Sequence, residues 1–280
     1  MLPKTTSTAD AERQDAEIQQ QLAAIQAKLN QIAYNVECLM EPAPDGFALP
    51  PAELHYLVTH HRDYTPADFF EHGRAIAADI QSALAECDLD INEAHSILDF
   101  GCGCGRVIRH FAGLKKAKLY GTDYNPRLIY WCRRNLPFGE FGANALAPPL
   151  DYEDGQFDLI YTISVFTHLT ESLQLLWIKE LARVLHPGGF LLVSTHGEAY
   201  ADDLTEEERS EFCSGKVVPK YSDDVTADGP NECSTYQSQE HVRTKLGTGN
   251  LELVHSVLAT IHNPSQDIHV FRKKEAHGYE

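Results

Sequence analysis

The sequence lacks several features that define common functional classes. No apolar run approaches the ~18 residues that a membrane-spanning helix requires, and we expect no signal peptide because residues 1–10 contain no apolar core. Positive charge is scarce, since 23 Lys and Arg face 41 Asp and Glu for a formal charge of −18. An acidic chain repels phosphate backbones and anionic lipids, so neither nucleic acid nor a membrane is expected as a partner.

Disulfide and metal-binding patterns are also missing. The seven cysteines are an odd number in a large chain and include no C-x-x-C pair, which favours reduced thiols in a cytoplasmic protein. Cys102 and Cys104 form a C-x-C pair that resembles a metal clip. Both lie between closely spaced glycines, however, and a tight turn accounts for that spacing. We therefore expect no metal site.

The N-terminal part of the chain carries a coiled-coil pattern. Residues 1–10 are polar and predicted to be disordered, whereas residues 11–40 contain neither glycine nor proline and are predicted to be helical. Apolar residues recur there at alternating spacings of four and three, as at the a and d positions of a heptad: Ile18, Leu22, Ile25, Leu29, Ile32, Val36 and Leu39. The alternative is a helix packed on its own domain, which usually shows a wider apolar stripe. The pattern favours a homo-oligomer joined through residues 18–39.

Two shorter segments precede the main domain. Residues 41–51 contain four prolines and a glycine, a composition typical of a linker. Residues 52–95 are predicted to form a helical cap with helices Ala52–His60 and Pro66–Glu86. The second helix has a clear start signal, with Thr65 as N-cap, proline at the first helical position and Asp68 three residues after the cap.

From residue 96 onward, short apolar strands alternate with helices, which predicts an α/β fold with a doubly wound parallel sheet over residues 96–275. The predicted strands are Ser96–Phe100, Lys118–Thr122, Phe138–Asn144, Phe157–Val165, Phe190–Thr195, Leu251–Thr260 and Asp267–Lys273. The predicted helices are Arg106–Phe111, Pro126–Asn135, Glu171–Leu185 and Ser238–Leu246. The last two strands are joined by a short loop and should be antiparallel. The acidic segment 197–236 interrupts the alternation and is predicted to be an insertion on the substrate side.

A glycine-rich turn follows the first strand. Gly101, Gly103 and Gly105 alternate directly after Asp99 in the stretch S-I-L-D-F-G-C-G-C-G-R. Glycine permits positive φ and lets a ligand approach the backbone, and a helix after the turn would offer free N–H groups to that ligand. A dinucleotide fingerprint requires its third glycine three residues after the second. Here the spacing is two, and Arg106 occupies the required position, which argues against NAD.

An acid at the end of the second strand indicates the kind of ligand. Asp123 lies eighteen residues after Gly105. A carboxylate there can accept two hydrogen bonds from the vicinal hydroxyls of a ribose. The alternative is an ordinary strand-end or capping acid before Asn125 and Pro126. Together with the glycine turn, Asp123 favours a nucleoside cofactor.

Four segments in order carry a family resemblance: D-F-G-C-G-C-G, G-T-D-Y-N, F-D-L-I-Y-T-I-S-V-F-T-H-L and L-A-R-V-L-H-P-G-G-F-L-L-V-S-T. Over residues 96–196 they resemble the class I S-adenosylmethionine-dependent methyltransferases, in particular the small-molecule branch with type 11/25-like domains. The resemblance implies a seven-stranded, mostly parallel sheet. The fourth strand is followed by T-I-S-V rather than the N-P-P-Y of enzymes acting on adenine or glutamine, which disfavours nucleic acid and release-factor substrates.

The resemblance also implies roles for matched residues. The three glycines would approach the methionine part of the cofactor, Asp99 would engage its ammonium group and Asp123 would hold the ribose. Tyr124, Asn144 and Ala145 would contact the adenine. Thr162 and Ile163 would line the methyl site. Arg74, from the helical cap, is a candidate partner of the cofactor carboxylate, with a surface charge as the alternative.

The implied activity is methyl transfer from S-adenosylmethionine to a small-molecule acceptor, most often at oxygen. An oxygen nucleophile usually needs a base, and His168 and His196 follow the fourth and fifth strands at the expected edge. Each of them is equally well explained as a structural histidine. Two other functions stay open, a nicotinamide-dependent oxidoreductase and a non-catalytic cofactor-binding subunit assembled through the coiled coil.

Overall fold

A computed structural model describes residues 8–40, 43–60, 64–221, 233–247, 249–259 and 266–275. The chain divides into two compact units, one up to Phe69 and one from Phe70 onward. The division falls inside a helix of the cap predicted over residues 52–95, and the predicted domain bounds stay predictions. Among the described residues, no helix combines the length and apolarity needed to cross a membrane.

The first unit is helical. It contains α1 (Thr8–Met40), α2 (Ala52–Thr59) and the start of α3 (Pro66–Ala85). Helix α1 begins three residues before the predicted start, and residues 1–7 of the predicted disordered segment lie outside the described residues. The Thr65 backbone N–H donates to Asp68 at 2.9 Å, and the Asp68 N–H donates to the Thr65 hydroxyl at 3.1 Å. The predicted cap of α3 is therefore confirmed.

The second unit contains a seven-stranded sheet in the order β3-β2-β1-β4-β5-β9-β8. Its strands are β1 (Ser96–Phe100), β2 (Lys118–Asp123), β3 (Gly139–Ala143), β4 (Phe157–Thr162), β5 (Leu185–Thr195), β8 (Leu251–Val257) and β9 (Asp267–Lys273). Strands β1 to β5 are parallel, and β9 pairs antiparallel with both β5 and β8. The prediction of a mostly parallel seven-stranded sheet is confirmed. Helices α4 (Pro126–Asn135) and α5 (Glu171–Val184) connect its strands.

One prediction near the glycine turn is wrong. The predicted α-helix Arg106–Phe111 is a single 3-10 turn over Ile108–Phe111. Only seven residues separate Gly105 from Gly113, which is too few for a stable α-helix after a turn that consumes the first of them. The free helix N-terminus expected to face a ligand is therefore absent from this part of the described chain.

Three other elements differ from the prediction in their bounds or in their type. Strand β4 stops at Thr162 because Ser164 adopts a left-handed φ of 58° and turns the chain into a 3-10 segment, Phe166–His168. Strand β5 already begins at Leu185. The predicted helix Ser238–Leu246 is a short α-helix, α7 (Gln239–His241), that continues as a π-helical turn.

The insertion contains regular structure that composition does not reveal. A 3-10 segment over Glu198–Asp203 leads into α6 (Glu206–Cys213), and strands β6 (Val218–Tyr221) and β7 (Cys233–Tyr236) form an antiparallel pair. Thr205 and Glu208 form a capping box at the start of α6. The T-E-E-E sequence at 205–208 is the signal that would have predicted this helix.

Candidate functional site

The carboxyl ends of the five parallel strands share one edge of the sheet, where ligands of doubly wound folds bind. Several buried polar atoms at this edge have no hydrogen-bond partner in the described part of the chain. They are Thr122 Oγ1, Asn144 Oδ1, Thr162 Oγ1 and His196 Nδ1, at the ends of β2, β3, β4 and β5. A buried polar atom without a hydrogen bond lowers the stability of the fold, so these four atoms suit a polar ligand that would bind to them.

The glycine turn after β1 needs its glycines for conformation and packing. Gly101, Gly103 and Gly105 have φ values of +80°, +56° and +76°. A Cβ on Gly101 would lie 2.2 Å from Val165 Cγ2, and one on Gly105 would lie 2.3 Å from Leu136 Cδ1. The glycines are therefore required by neighbouring side chains before any ligand is considered, and the turn packs tightly against Val165 after β4 and Leu136 after α4.

Asp123 fastens this turn to the end of β2. Its Oδ2 accepts from the Gly103 N–H at 2.9 Å, and its Oδ1 accepts from the Asn125 N–H at 2.8 Å. Burial raises the pKa of Asp123, and the two backbone hydrogen bonds oppose that shift. Each oxygen keeps a second lone pair, so the carboxylate can hold the turn and a ligand hydroxyl at once.

Asp99 is buried beneath the turn. Burial raises the pKa of its carboxyl to about 8, the nearby Tyr161 hydroxyl opposes the rise and the Asp123 carboxylate adds to it. The Arg106 guanidinium also lowers this pKa, but by less than burial raises it. A bound cation next to Asp99 would restore its ionised form.

The other predicted cofactor residues lie along the same edge. Tyr124 follows β2 and is half-buried, and burial raises its pKa to about 12. The Asn144 N–H donates to the Asp123 carbonyl at 3.1 Å, and its side-chain amide donates to the Ala145 carbonyl at 2.8 Å. Thr162 and Ile163 are buried at the end of β4. The fold therefore brings these residues to the edge that contains Asp123.

Arg74 does not join this group. Its guanidinium forms an exposed ion pair with Glu71 at 2.6 Å on the surface of α3. The arginine that influences Asp99 is Arg106, which is buried and lies 3.5 Å from the His72 ring. The backbone of Arg106 also packs on Gly73, where a Cβ would meet its carbonyl oxygen at 2.1 Å. In the sequence, Arg106 only argues against a dinucleotide fingerprint, and no local pattern indicates that it lies near Asp99.

His168 and His196 come together, as expected from their strand-end positions. Their ring centroids are 6.4 Å apart. The Nδ1 of His168 lies 3.0 Å from the Cys233 carbonyl, which can only accept, so Nδ1 carries the proton and Nε2 the lone pair. Burial lowers the pKa of His196 to about 4, and the His168 charge contributes. The His196 ring is therefore neutral at physiological pH.

A buried polar network fixes the insertion behind these histidines. The Gln174 amide donates to the carbonyls of Phe166 and Leu169 at 3.0 and 2.9 Å, and Gln237 donates to Phe166 at 3.0 Å. Gln174 Oε1 lies 3.2 Å from the buried His241 ring. This network ties the loop after β4 to α5 and β7. No local signal in the sequence distinguishes Gln174 or Gln237 from other helix and loop glutamines.

Gly197, directly after His196, tests whether the start of the insertion positions the site. A Cβ there would lie 1.8 Å from Asp267 Oδ2, and Asp267 is buried and accepts from the Ala259 N–H at 2.8 Å. We expect Gly197→Ala to displace the start of the insertion and to lower turnover about tenfold, which corresponds to about 1.4 kcal/mol.

The cofactor dissociation constant of Gly197→Ala should stay unchanged, as measured by calorimetric titration. Gly113→Ala is the matched control, because no atom lies within 4 Å of its built Cβ. Equal turnover of the two variants would show that the entry to the insertion does not position the site.

Among the described residues, no group of three or more His, Cys, Asp or Glu side chains is placed to hold a metal ion. None of the seven cysteines, all of which lie in the described ranges, forms a disulfide bond. Cys102 and Cys104 are buried, and burial raises the pKa of both thiols well above the usual value. They act as small side chains in the turn.

Comparison with known proteins identifies the sequence family of this region. Residues 98–193 match the family described as "Methyltransferase domain". The chain is 30% identical over 151 residues to a probable tocopherol O-methyltransferase, chloroplastic, of Oryza sativa subsp. japonica, a match that covers 49% of this chain and 40% of that protein. It is 32% identical over 132 residues to a fatty-acid O-methyltransferase of Mycolicibacterium smegmatis, covering 46% and 45% of the two chains. The chain thus spans about half the length or less of these relatives.

Solved structures show the same fold at low sequence identity. A SAM-dependent methyltransferase of Methanosarcina mazei aligns with a TM-score of 0.51 and 18% identity, over 69% of this chain and 98% of that one. A methyltransferase of Burkholderia thailandensis that acts at N1 of 1,6-didemethyltoxoflavin, solved with S-adenosylhomocysteine, aligns with a TM-score of 0.52 and 15% identity, over 75% and 85%. At these identities the likeness concerns the fold.

Proposed function

We propose that the chain transfers the methyl group of S-adenosylmethionine to a hydroxyl of a small molecule, because it belongs to the class I S-adenosylmethionine-dependent methyltransferases. One observation carries the proposal. The hydrogen bond between Gly103 and Asp123 joins the glycine turn to the acid at the end of β2, and this pair would hold the two halves of a nucleoside cofactor.

The residues at the sheet edge fit that cofactor in charge and in hydrogen bonding. Asp123 would accept from the ribose hydroxyls, and Asp99 would face the ammonium group beneath the turn. The unpartnered Asn144 Oδ1 would accept from the adenine amino group, beside Tyr124. Bound S-adenosylmethionine supplies an activated methyl group, so the protein has only to align the acceptor and exclude water.

His168 and His196 would accept the proton that an acceptor hydroxyl loses. They follow the neighbouring strands β4 and β5, with ring centroids 6.4 Å apart, at the edge that also contains Thr162 and Ile163. The family disfavours the nicotinamide-dependent alternative, and so does Arg106, which stands where a dinucleotide fingerprint requires its third glycine. A non-catalytic subunit would keep the cofactor residues but would have no use for two histidines side by side at the acceptor edge.

Asp99 predicts a pH dependence of cofactor affinity. Because its pKa is about 8 in the free protein, the carboxyl is mostly protonated at neutral pH. An ammonium group nearby would lower that pKa, so binding releases a proton and affinity rises with pH until about pH 8. Calorimetry at neutral pH in buffers of different ionisation enthalpy should show release of up to one proton. Asp99→Asn should abolish that release, whereas Asp151→Asn, on an exposed loop, should retain it; equal release from both variants would contradict the assignment.

The activity itself is tested by incubating the protein with radiolabelled S-adenosylmethionine and a metabolite extract. We expect S-adenosylhomocysteine to form and label to appear in a neutral small molecule. Cofactor binding without transfer to any metabolite would instead favour the non-catalytic subunit. Label in protein or nucleic acid would contradict the proposed acceptor class.

The seam of α1 would join two copies of the chain. Its seven apolar residues repeat with heptad spacing over three heptads, yet these residues are between 45% and 88% exposed. We expect Leu22→Glu with Leu29→Glu to convert a dimer into a monomer in sedimentation experiments. Gln20→Glu with Ala27→Glu, two exposed positions off the seam with the same spacing, should leave the dimer intact. A monomeric wild-type chain would contradict the proposed seam.

A further inference from the structure

The insertion brings two tyrosines to His196 at the carboxyl edge. The His196 ring centroid lies 5.0 Å from that of Tyr200 and 5.5 Å from that of Tyr236, and the two tyrosine rings are 5.2 Å apart. We call these three residues the aromatic triad. All three are half-buried, so each ring packs on the others and keeps part of its surface accessible.

Backbone pairing fixes the aromatic triad beside the methyl site. His196 follows β5 directly and pairs with Tyr236 in a parallel bridge, and the Gln237 N–H donates to the His196 carbonyl at 2.9 Å. The neighbouring strand β4 ends at Thr162, and the Ser164 N–H donates to the Ser194 hydroxyl at 2.8 Å. In the β4–β5 register Thr162 lies opposite Val193, so Ile163 is level with Ser194, and His196 follows two residues further along the neighbouring strand.

We infer that the aromatic triad binds the methyl acceptor, and that this acceptor is an uncharged aromatic ring bearing a hydroxyl group. The inference rests on the proposed methyl transfer and names the acceptor class of the same site. Offset and edge-to-face contacts with tyrosine and imidazole rings favour a planar aromatic molecule over an aliphatic one of equal area.

Charge around the aromatic triad selects against the other acceptor classes. Residues 197–221 contain seven Asp and Glu but only three Lys and Arg, so a carboxylate acceptor would be repelled. An amine would be drawn to tyrosine rings and acids. However, Lys220 already lies over the Tyr236 ring at 5.7 Å and pairs with Glu208 at 3.4 Å, which leaves that ring beside a cation.

His196 also favours an acidic hydroxyl. Its Nδ1 has no partner in the described residues, and burial lowers the pKa of the ring to about 4, so the ring accepts a proton reluctantly. A phenolic hydroxyl, with a pKa of about 10, gives up its proton far more readily than an aliphatic alcohol and requires less of that base.

The step balances without any further reactant. The hydroxyl oxygen attacks the methyl carbon, forming the O–C bond as the C–S bond breaks. The electron pair of that bond stays on sulfur, which becomes a neutral thioether. The hydroxyl proton passes to the imidazole of His196, and the imidazolium returns it to solvent. The products are an aryl methyl ether, S-adenosylhomocysteine and one proton.

A matched set of acceptors tests the inference on the full-length protein: phenol, cyclohexanol, benzoate and benzylamine, assayed by release of S-adenosylhomocysteine and by mass spectrometry. We expect kcat/KM for phenol to exceed that of each of the others at least tenfold. A preference for any of the other three, or no turnover of phenol by a protein that binds the cofactor, would overturn the inference. A protein that does not bind the cofactor would instead overturn the proposed function.

Variants of the aromatic triad test whether its rings bind the acceptor. Tyr236→Leu and Tyr200→Leu should each raise KM for phenol about tenfold, whereas Tyr236→Phe and Tyr200→Phe, which keep the ring, should stay within a factor of two to three. His196→Ala should lower kcat with little change in KM. Calorimetry should show phenol binding to the S-adenosylhomocysteine complex of the wild type and weaker binding to the two Leu variants. Equal binding by all of them would contradict the assignment.

Discussion

Asp123→Ala should weaken cofactor binding about 100-fold or more. In the proposed complex the carboxylate accepts two ribose hydroxyls, and hydrogen bonds to a charged group contribute about 1.5–3 kcal/mol each. Their loss therefore amounts to at least about 3 kcal/mol, or two orders of magnitude in the dissociation constant. Calorimetric titration with S-adenosylhomocysteine measures the change.

The same carboxylate also supports the protein, so stability must be followed in parallel. Asp123 accepts from the N–H groups of Gly103 and Asn125, and its removal leaves both donors without that acceptor. Asp123→Asn keeps one oxygen and the shape of the side chain, and we expect an intermediate loss of affinity. Asp151→Asn on the exposed loop should change nothing. Unchanged affinity in Asp123→Ala would contradict the ribose role.

Gly101→Ala should destabilise the protein by about 3 kcal/mol. An alanine at φ +80° costs about 1–2 kcal/mol, and its Cβ would lie 2.2 Å from Val165 Cγ2, where overpacking adds about 1–3 kcal/mol. Because Val165 follows β4 next to Thr162 and Ile163, which we propose line the methyl site, the displaced turn should also weaken cofactor binding. Chemical denaturation gives the free energy of unfolding.

A second substitution separates the two causes of this destabilisation. Val165→Ala removes the clashing Cγ2, so the double variant should lose less stability than the two single changes predict together. Gly113→Ala, with ordinary φ and no atom within 4 Å of its Cβ, should stay within about 0.5 kcal/mol of the wild type. If Gly101→Ala were equally neutral, the tight packing of the turn against β4 would be refuted.

Much of the sheet could be predicted because its signals are local. Alternating apolar strands and helices predict β1 to β5 and the antiparallel β8 and β9, and each lies within a few residues of its expected bounds. The T-P-x-D cap predicts the start of α3. The ordered motifs place Asp99, Asp123 and the three glycines, because glycine spacing and strand-end acids depend on the backbone conformation of a few adjacent residues.

The remainder depends on contacts between distant parts of the chain. Whether Arg106 or Arg74 lies near Asp99 is decided by how Gly73 packs on the turn, which no local pattern encodes. The hairpin β6–β7 pairs residues 12 to 18 positions apart. The network around Gln174 and Gln237 includes hydrogen bonds between residues 61 to 71 positions apart. The π-helical turn after His241 and the left-handed Ser164 are likewise selected by packing rather than by propensity.

The most direct test of the central claim is calorimetric titration of the wild-type protein with S-adenosylhomocysteine and, separately, with NAD. We predict saturable binding of S-adenosylhomocysteine at one site per chain and no measurable heat with NAD. Binding of NAD, or of neither ligand, would contradict the assignment of the turn Gly101–Gly105 and Asp123 to a methyl-donor site.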